Sequence, residues 1–181
     1  MTARYKAHNL LASPKPTDLR GWARFGDVEV RMTADGTGIF CRNLSGGGGR
    51  GIDYALPDLP AGEWVYGFVM ASSAYEAGET IALIKTGPTT YGSVIRFAET
   101  AGEHAYTGEF TIAEPGVNWL FTPPNAKDGA MSVKRFLLVT REDWETMQKN
   151  DVRWFDGDGF LTGGGDYSSE LYPHAALAVA A

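Results

Sequence analysis

The stretch that decides the fold is DVEVRMTADGTGIFCR, residues 27–42. Its residues 28–32 alternate between apolar and polar side chains, which is the period of two that a half-buried β-strand shows. Asp35-Gly36 is a hairpin turn signal, and residues 37–42 have the composition of a returning strand. The stretch therefore predicts an antiparallel hairpin with its apolar face, Val28, Val30 and Met32, against a core.

Working outward, seven more segments resemble strands, and Gly or Pro separates nearly all of them. Glycine, at 23 of 181 residues, is well above the usual share, as expected for a chain with many turns. About nine short strands at this spacing are typical of an antiparallel β-sandwich or jelly roll. The seven segments are 52–56, 64–72, 80–86, 91–97, 106–112, 117–121 and 133–139.

One helix is predicted, over residues 141–149. Thr140 is a suitable cap, Asp143 stands three residues later, and the segment contains no helix breaker. The sequence thus indicates an all-β jelly-roll sandwich with one short helix near its C-terminal end. We predict a domain over residues 1–158, followed by a Gly-rich linker and an apolar arm over 159–181.

Composition excludes several classes of protein. A net charge of −6 and an isoelectric point near 5.0 argue against nucleic acid as the main partner. No apolar run is long enough to span a membrane, and residues 1–16 do not resemble a secretory signal. The single cysteine, Cys41, cannot form an internal disulfide. We therefore expect synthesis and folding in a cytoplasm.

No catalytic constellation is visible, so we predict no enzymatic activity and no cofactor. His8, His104 and His174 lack metal-ligand spacing, and Cys41 is expected to be a buried thiol. The glycine run before Arg50 is not followed by the Lys and Ser/Thr of a phosphate loop, and a flexible loop is expected there. Asp156 and Asp158 open like a calcium loop, but the remaining positions do not fit, which leaves a calcium contact open.

The aromatic content, with 5 Trp, 8 Tyr and 9 Phe, suggests a second kind of site. Trp64, Phe68 and Trp119 lie in dense apolar segments and are predicted to fill the core. Aromatic rings that border loops can instead be exposed and offer a platform to a sugar ring. The tyrosines predicted to be exposed in this way are Tyr75, Tyr91 and Tyr167.

The order of motifs resembles one family. An opening Asn-Leu-Leu at 9–11, a Leu-Pro-Ala-Gly-Glu-Trp turn at 59–64 and the strand 135–140 are similar to the carbohydrate-binding-module-type jelly rolls of phage virion proteins. The ending Trp154-Phe155-Asp156-Gly157-Asp158 resembles the FDGD motif of minor tail proteins from phages and prophages of actinobacteria. The Trp-Thr-Gly that commonly follows in that family is absent here.

The resemblance implies a structural component of a bacteriophage virion, most simply a minor tail protein, assembled in the host cytoplasm. The motif Phe155, Asp156, Gly157 and Asp158 would then have a structural role, with the carboxylates capping turns. Expected partners are other virion proteins, further copies of the chain and a host cell-surface glycan. Two alternatives stay open: a carbohydrate-binding module or adhesin for cell-wall glycan, and a head-associated minor capsid or decoration protein.

The arm suggests how such a protein could assemble. Residues 171–181 are mostly small and apolar, and burying them on another surface would be favourable. We expect the arm to dock on a neighbouring subunit or another virion protein. A disordered arm, or one folded back on its own domain, is the alternative.

Overall fold

The computed structural model describes residues 6–11, 16, 18–56, 58–72, 75–87, 90–97, 102–113, 116–150 and 165–168, with backbone only at 6, 7 and 165–168. This part of the chain contains twelve strands and one helix. The first six strands are β1 (Lys6–Asn9), β2 (Trp22–Phe25), β3 (Val28–Met32), β4 (Gly38–Asn43), β5 (Gly51–Ala55) and β6 (Gly62–Ser72). The others are β7 (Thr80–Lys85), β8 (Tyr91–Arg96), β9 (Gly102–Ile112), β10 (Asn118–Phe121), β11 (Ala130–Thr140) and β12 (Gly165–Ser168), with α1 (Arg141–Lys149) between β11 and β12.

Two five-stranded antiparallel sheets form the sandwich. The first sheet has the order β2-β5-β10-β7-β8, and the second has the order β3-β4-β11-β6-β9. Successive strands therefore cross between sheets repeatedly, as in a jelly roll. The predicted all-β jelly-roll sandwich with one short helix is confirmed, and all nine predicted strands are present.

The core lies between the two sheets and follows the predicted alternation. Val28 is buried, while Val30 and Met32 pack against the core cluster and Arg31 is exposed on the opposite face. The core aromatics come from both sheets: the Trp119 ring lies 5.2 Å from that of Tyr66 in an edge-to-face arrangement. The predicted core residues Trp64, Phe68 and Trp119 are all buried.

The helix begins and ends as its sequence predicts. The Thr140 side chain accepts a hydrogen bond from the Asp143 backbone N–H at 3.1 Å, which caps the first turn. Met147 is completely buried, and the helix contacts β1, β6 and β11. The His8 backbone N–H also donates to the Asp143 carboxylate at 3.3 Å, so the start of the domain is attached to the helix.

Three strands, β1, β2 and β12, are not among the nine that the sequence predicts. β12 falls within the predicted arm, where its backbone pairs with β1 in antiparallel register. Residues 165–168 thus lie against the same chain. The rest of the arm lies outside the described residues, and the domain boundary at 158 stays a prediction.

Asn9 fastens the beginning of the chain to the middle of the second sheet. β11 pairs with β4 only as far as Lys134, and its register against β6 shifts between Lys134 and Leu137. Beyond that irregularity, the side chain of the buried Asn9 donates from its amide nitrogen to the Phe136 carbonyl at 2.9 Å. The Asn9 Oδ1 accepts a hydrogen bond from the Leu138 N–H at 3.0 Å. One side chain therefore satisfies backbone groups that β4 no longer reaches.

Asn43 organises the glycine-rich loop that follows β4. Its fully buried amide donates to the carbonyls of Gly47 at 3.1 Å and Pro124 at 3.0 Å. Its Oδ1 accepts from the Gly46 N–H at 2.8 Å and from Arg50 at 3.3 Å. The segment expected to be a flexible loop is thus tied to a second loop, and its arginine is engaged with protein groups.

Replacing Asn43 by Ala should lower the free energy of unfolding by about 2–4 kcal/mol, because several buried backbone groups lose their partner at once. The measurement is denaturant unfolding followed by circular dichroism. Asn125→Ala is the matched control: its side chain is exposed, so the loss should stay below about 0.5 kcal/mol. Equal losses in the two variants would contradict this role of Asn43.

Cys41 lies in the core on β4 and is completely inaccessible to solvent. Burial raises the pKa of its thiol from 9.0 to about 12. A thiol held protonated in an apolar core is a poor nucleophile. Its location agrees with the expected structural role.

We predict that Cys41 resists a thiol-specific reagent at mildly alkaline pH in the native protein and reacts at once in concentrated guanidinium chloride. The raised pKa also has a consequence for stability, because above pH 9 the unfolded thiol loses its proton while the folded one keeps it. The free energy of unfolding should therefore fall as the pH rises from 9 towards 12, and less steeply in Cys41→Ala. Rapid modification of the native protein would contradict the prediction.

Candidate functional site

The outer face of the first sheet, the side turned away from the core, carries two adjacent rows of side chains. The strand registers place Ala55, Asn118, Lys85 and Tyr91 side by side across β5, β10, β7 and β8. Three strand spacings make this row about 14 Å long. The next row, across all five strands, is Ala23, Asp53, Leu120, Leu83 and Val94. These nine residues are called the outer face below.

Tyr91 stands out on this face because 59% of it is exposed. Val94, at 42%, is the other large exposed hydrophobic residue among those described. Both lie on β8, an edge strand of the first sheet. A buried aromatic ring is explained by core packing alone. An aromatic ring that is exposed beside polar neighbours is not, and it is therefore a better indicator of a binding site.

An irregularity in β8 explains why the Tyr91 ring faces outward. Ser93 pairs with Ile84 and faces the core, where its hydroxyl accepts a hydrogen bond from Tyr66 at 3.1 Å. In a regular strand Tyr91 would share the face of Ser93. The register shifts between Ile84 and Lys85, so Tyr91 pairs with Lys85 on the outer face and Gly92 is the extra residue.

The polar residues beside Tyr91 supply both donors and acceptors. The Asn118 amide donates to the Asp53 carboxylate at 3.2 Å, which fixes the orientation of both side chains. Lys85 lies between Asn118 and Tyr91 in the same row and contributes a positively charged donor. Asn118, Asp53 and Lys85 are each partly exposed. The outer face can therefore offer one aromatic surface and several hydrogen-bonding groups to the same ligand.

Sequence reasoning missed Asp53, Lys85 and Asn118. Each follows or precedes a buried apolar residue in its strand, so the alternation could have assigned all three to an outward face. What the sequence could not provide was their proximity, since β5, β7 and β10 are separated along the chain and become neighbours only through the sheet order.

Tyr75 was predicted to be exposed, but its side chain is half-buried. Its ring stacks on Phe97 with centroids 5.2 Å apart, and its hydroxyl donates to the Thr122 carbonyl and contacts the Met131 sulfur at 3.2 Å. Burial raises its pKa well above the ordinary value. The reason for the difference is that the segment before β7 packs its aromatic residue against the core. Phe97 therefore covers one face of the half-buried Tyr75 ring, which is not the exposed platform that the sequence predicts.

The other predicted site residues can be placed only in part. The backbone of Tyr167 lies in β12, opposite Ala7 of β1, and its side chain is outside the described part of the chain. The motif Phe155, Asp156, Gly157 and Asp158 also lies outside the described residues, as does any calcium contact from its carboxylates. Their proposed roles stay predictions.

Within the described ranges, no group of three or more His, Cys, Asp or Glu side chains could hold a metal ion. His8 lies in β1 and His104 in β9, and His174 is outside the described residues. The part of the chain that the structure describes holds no helix long and apolar enough to cross a bilayer.

Comparison with known proteins places the fold. The sequence matches no protein-family model, and no curated protein shows significant similarity to it. Among solved structures, the CBM22-1 xylan-binding domain of Paenibacillus barcinonensis Xyn10C is similar with a TM-score of 0.54 and 13% identity, over 74% of this chain and 94% of that domain.

Two larger proteins contain a similar domain. One consists of the CBM22-1-GH10 modules of Clostridium thermocellum endo-1,4-β-D-xylanase 10B complexed with xylohexaose (TM-score 0.56, 10% identity, 74% of this chain). The other is the enzymatically active domain of bacteriophage CBA120 tailspike protein 4 (TM-score 0.53, 12% identity, 72% of this chain). The similarity spans 28% of the xylanase chain and 21% of the tailspike chain. The chain therefore has the jelly-roll fold of carbohydrate-binding modules.

Proposed function

We propose that this domain binds carbohydrate on the outer face, with the Tyr91 ring as its stacking platform and without catalysing a reaction. The observation that carries the proposal is the 59% exposure of Tyr91 at the end of a row of polar side chains. The ligand class follows from the chemistry of that face.

A sugar ring has apolar C–H faces and a rim of hydroxyl groups, so its binding site needs both an apolar surface and hydrogen-bonding side chains. Tyr91 supplies the aromatic surface, and the half-buried Leu83 and Leu120 extend it across the neighbouring row. Asp53 accepts and Lys85 donates hydrogen bonds, and an amide such as Asn118 does both. The combination suits an uncharged, polyhydroxylated ligand better than an anion or a wholly apolar molecule.

The comparisons add support from fold. Two of the similar structures are a xylan-binding domain and a pair of xylanase modules complexed with xylohexaose, so both involve carbohydrates. At 10–13% identity the similarity indicates a shared fold and does not indicate which sugar is bound. We therefore propose only the class of ligand, a glycan chain, and its source, a host cell-surface glycan.

The Tyr91→Ala variant should lose about 10- to 100-fold in glycan affinity, because burial of an aromatic face contributes roughly 1.5–3 kcal/mol. Affinity is measured by calorimetric titration with the best oligosaccharide from a glycan array. Tyr91→Phe is the control, since it keeps the ring and should retain most of the affinity. Because Tyr91 is largely exposed, neither change should alter thermal stability appreciably. Unchanged affinity of Tyr91→Ala would contradict the proposal.

A second candidate function is a structural role in a bacteriophage virion, as a minor tail protein or, alternatively, as a head-associated minor capsid or decoration protein. The similarity to a tailspike domain and the resemblance of residues 154–158 to the FDGD motif favour it. In this setting the domain would be repeated on the particle and would contact other virion proteins, partly through the arm. Glycan binding and a virion role are compatible, because a tail protein can attach the particle to its host.

The virion role predicts that the protein is present in purified particles. Mass spectrometry of particles separated by density gradient should detect its peptides at a fixed ratio to the major tail protein. Absence from intact particles, with detection in the lysate of the same culture as the control, would contradict this candidate function. The result is independent of glycan binding.

A further inference from the structure

A cleft lies beside the outer face, on the other side of β8. It is a cleft of about 750 Å³ between β8 and β9, the adjacent edge strands of the two sheets. Thr90 and Gly92, which flank Tyr91 in sequence, both line it. Its volume is within the range of sites that hold a small ligand. None of the outer-face residues lines the cleft, so it is a distinct site.

The lining of the cleft is amphipathic. Phe110 and Trp64 are buried and form an apolar part of the wall, while Thr86, Thr90 and Thr111 contribute hydroxyl groups. Hydroxyl groups both donate and accept hydrogen bonds and carry no charge. A wall of this kind complements a ligand that has an apolar ring face and several hydroxyl groups.

Arg141 and Glu109 provide a charged pair at the same cleft. The Arg141 guanidinium forms an ion pair with Glu109, and its Nε donates to Glu145 at 3.3 Å. The hydrogen bonds that Arg141 donates to these two carboxylates raise its pKa, so the side chain stays a cation. Both Arg141 and Glu109 remain partly open to solvent, with 39% and 61% of their side chains exposed. A guanidinium and a carboxylate held side by side can donate to one hydroxyl group and accept from its neighbour.

The position of the cleft suggests what occupies it. The row Asn118, Lys85 and Tyr91 runs across the strands towards β8, which is the last strand of the sheet. A glycan that follows this row passes Tyr91 and meets the cleft directly beyond it. At this point the Thr86 side chain packs against Gly92, where an added Cβ would come within 2.8 Å of the Thr86 methyl carbon.

We propose that the cleft between β8 and β9 binds a single uncharged sugar unit, at the end or on a branch of the glycan whose main chain lies on the outer face. The inference rests on the proposed function and deepens it. Arg141 and Glu109 contact neighbouring hydroxyl groups of this unit, the threonines contact others, and the aromatic wall covers its C–H face. The domain then distinguishes glycans by their ends or branches as well as by their main chain.

The test compares Thr90→Leu with Thr107→Leu in the full chain. Thr90→Leu removes a hydroxyl group and fills part of the cleft, whereas Thr107 is also exposed but does not line it. The probes are xylohexaose, cellohexaose, β-1,4-galactotriose and chitohexaose, titrated by calorimetry and by amide chemical shifts. For the probe that binds best, Thr90→Leu should reduce affinity at least tenfold, and Thr107→Leu should leave it within twofold. The amides of residues 90–92 and 109–111 and the Arg141 Nε–H signal should shift on binding.

The outcomes separate this inference from the proposed function. If Tyr91→Ala weakens binding while Thr90→Leu binds as the unaltered protein does, and the cleft signals do not move, the inference is overturned and the outer-face site stands. If Thr90→Leu weakens binding but Tyr91→Ala does not, the cleft is a site and the outer-face proposal fails. If no glycan of the array binds and none of the four probes shifts any amide of either surface, both are overturned.

Discussion

The contact between aromatic rings of the two sheets is the interaction on which the rest of the structure depends. Trp119 and Phe121 of β10 meet Tyr66 and Phe68 of β6, with the Phe121 and Phe68 rings edge to face and 4.9 Å apart. Phe136 of β11 lies 5.5 Å from Trp119 and closes the group. Such rings bury large apolar areas and prefer defined geometries, so they fix both the separation and the orientation of the sheets.

This use of aromatic side chains determines what remains for the surface. Most rings of the described residues point inward, and the two asparagines that are fully buried, Asn9 and Asn43, serve backbone groups rather than a ligand. The Tyr91 side chain lies on the outer face because one extra residue in β8 reverses the alternation of side chains at this point. The irregularity thus produces an exposed ring at the junction of the outer face and the neighbouring cleft. The proposed site thus depends on a local departure from the regular strand pattern.

The fold could be predicted from sequence because apolar and polar residues alternate within the strands themselves, and because the residue that caps α1 lies directly before it. Val28 and Thr140 needed only local neighbours to be assigned correctly. β2 was missed because its burial depends on pairing with β5, which the local pattern does not contain.

The site could be predicted only in part. Tyr91 was identified as an aromatic residue that borders a loop. The same reasoning predicted that Tyr75 is exposed, although its ring stacks on Phe97 and its hydroxyl bonds to the Thr122 carbonyl. Asp53 and Asn118 become partners across 65 residues, a distance over which sequence spacing gives no information.

The sheet order has a consequence for how the chain acquires its structure during synthesis. The central strand of the first sheet is β10 and that of the second sheet is β11, and both are among the last to leave the ribosome. β5 and β7 lack the strand between them until residue 121 has emerged, and β4 and β6 lack a complete one until residue 140 has emerged. Asn9 must wait for partners that lie 127 and 129 residues later. The nascent domain therefore holds unpaired strand edges for most of its translation, and we expect it to close late, in a single cooperative step, with slow folding typical of non-local β pairing.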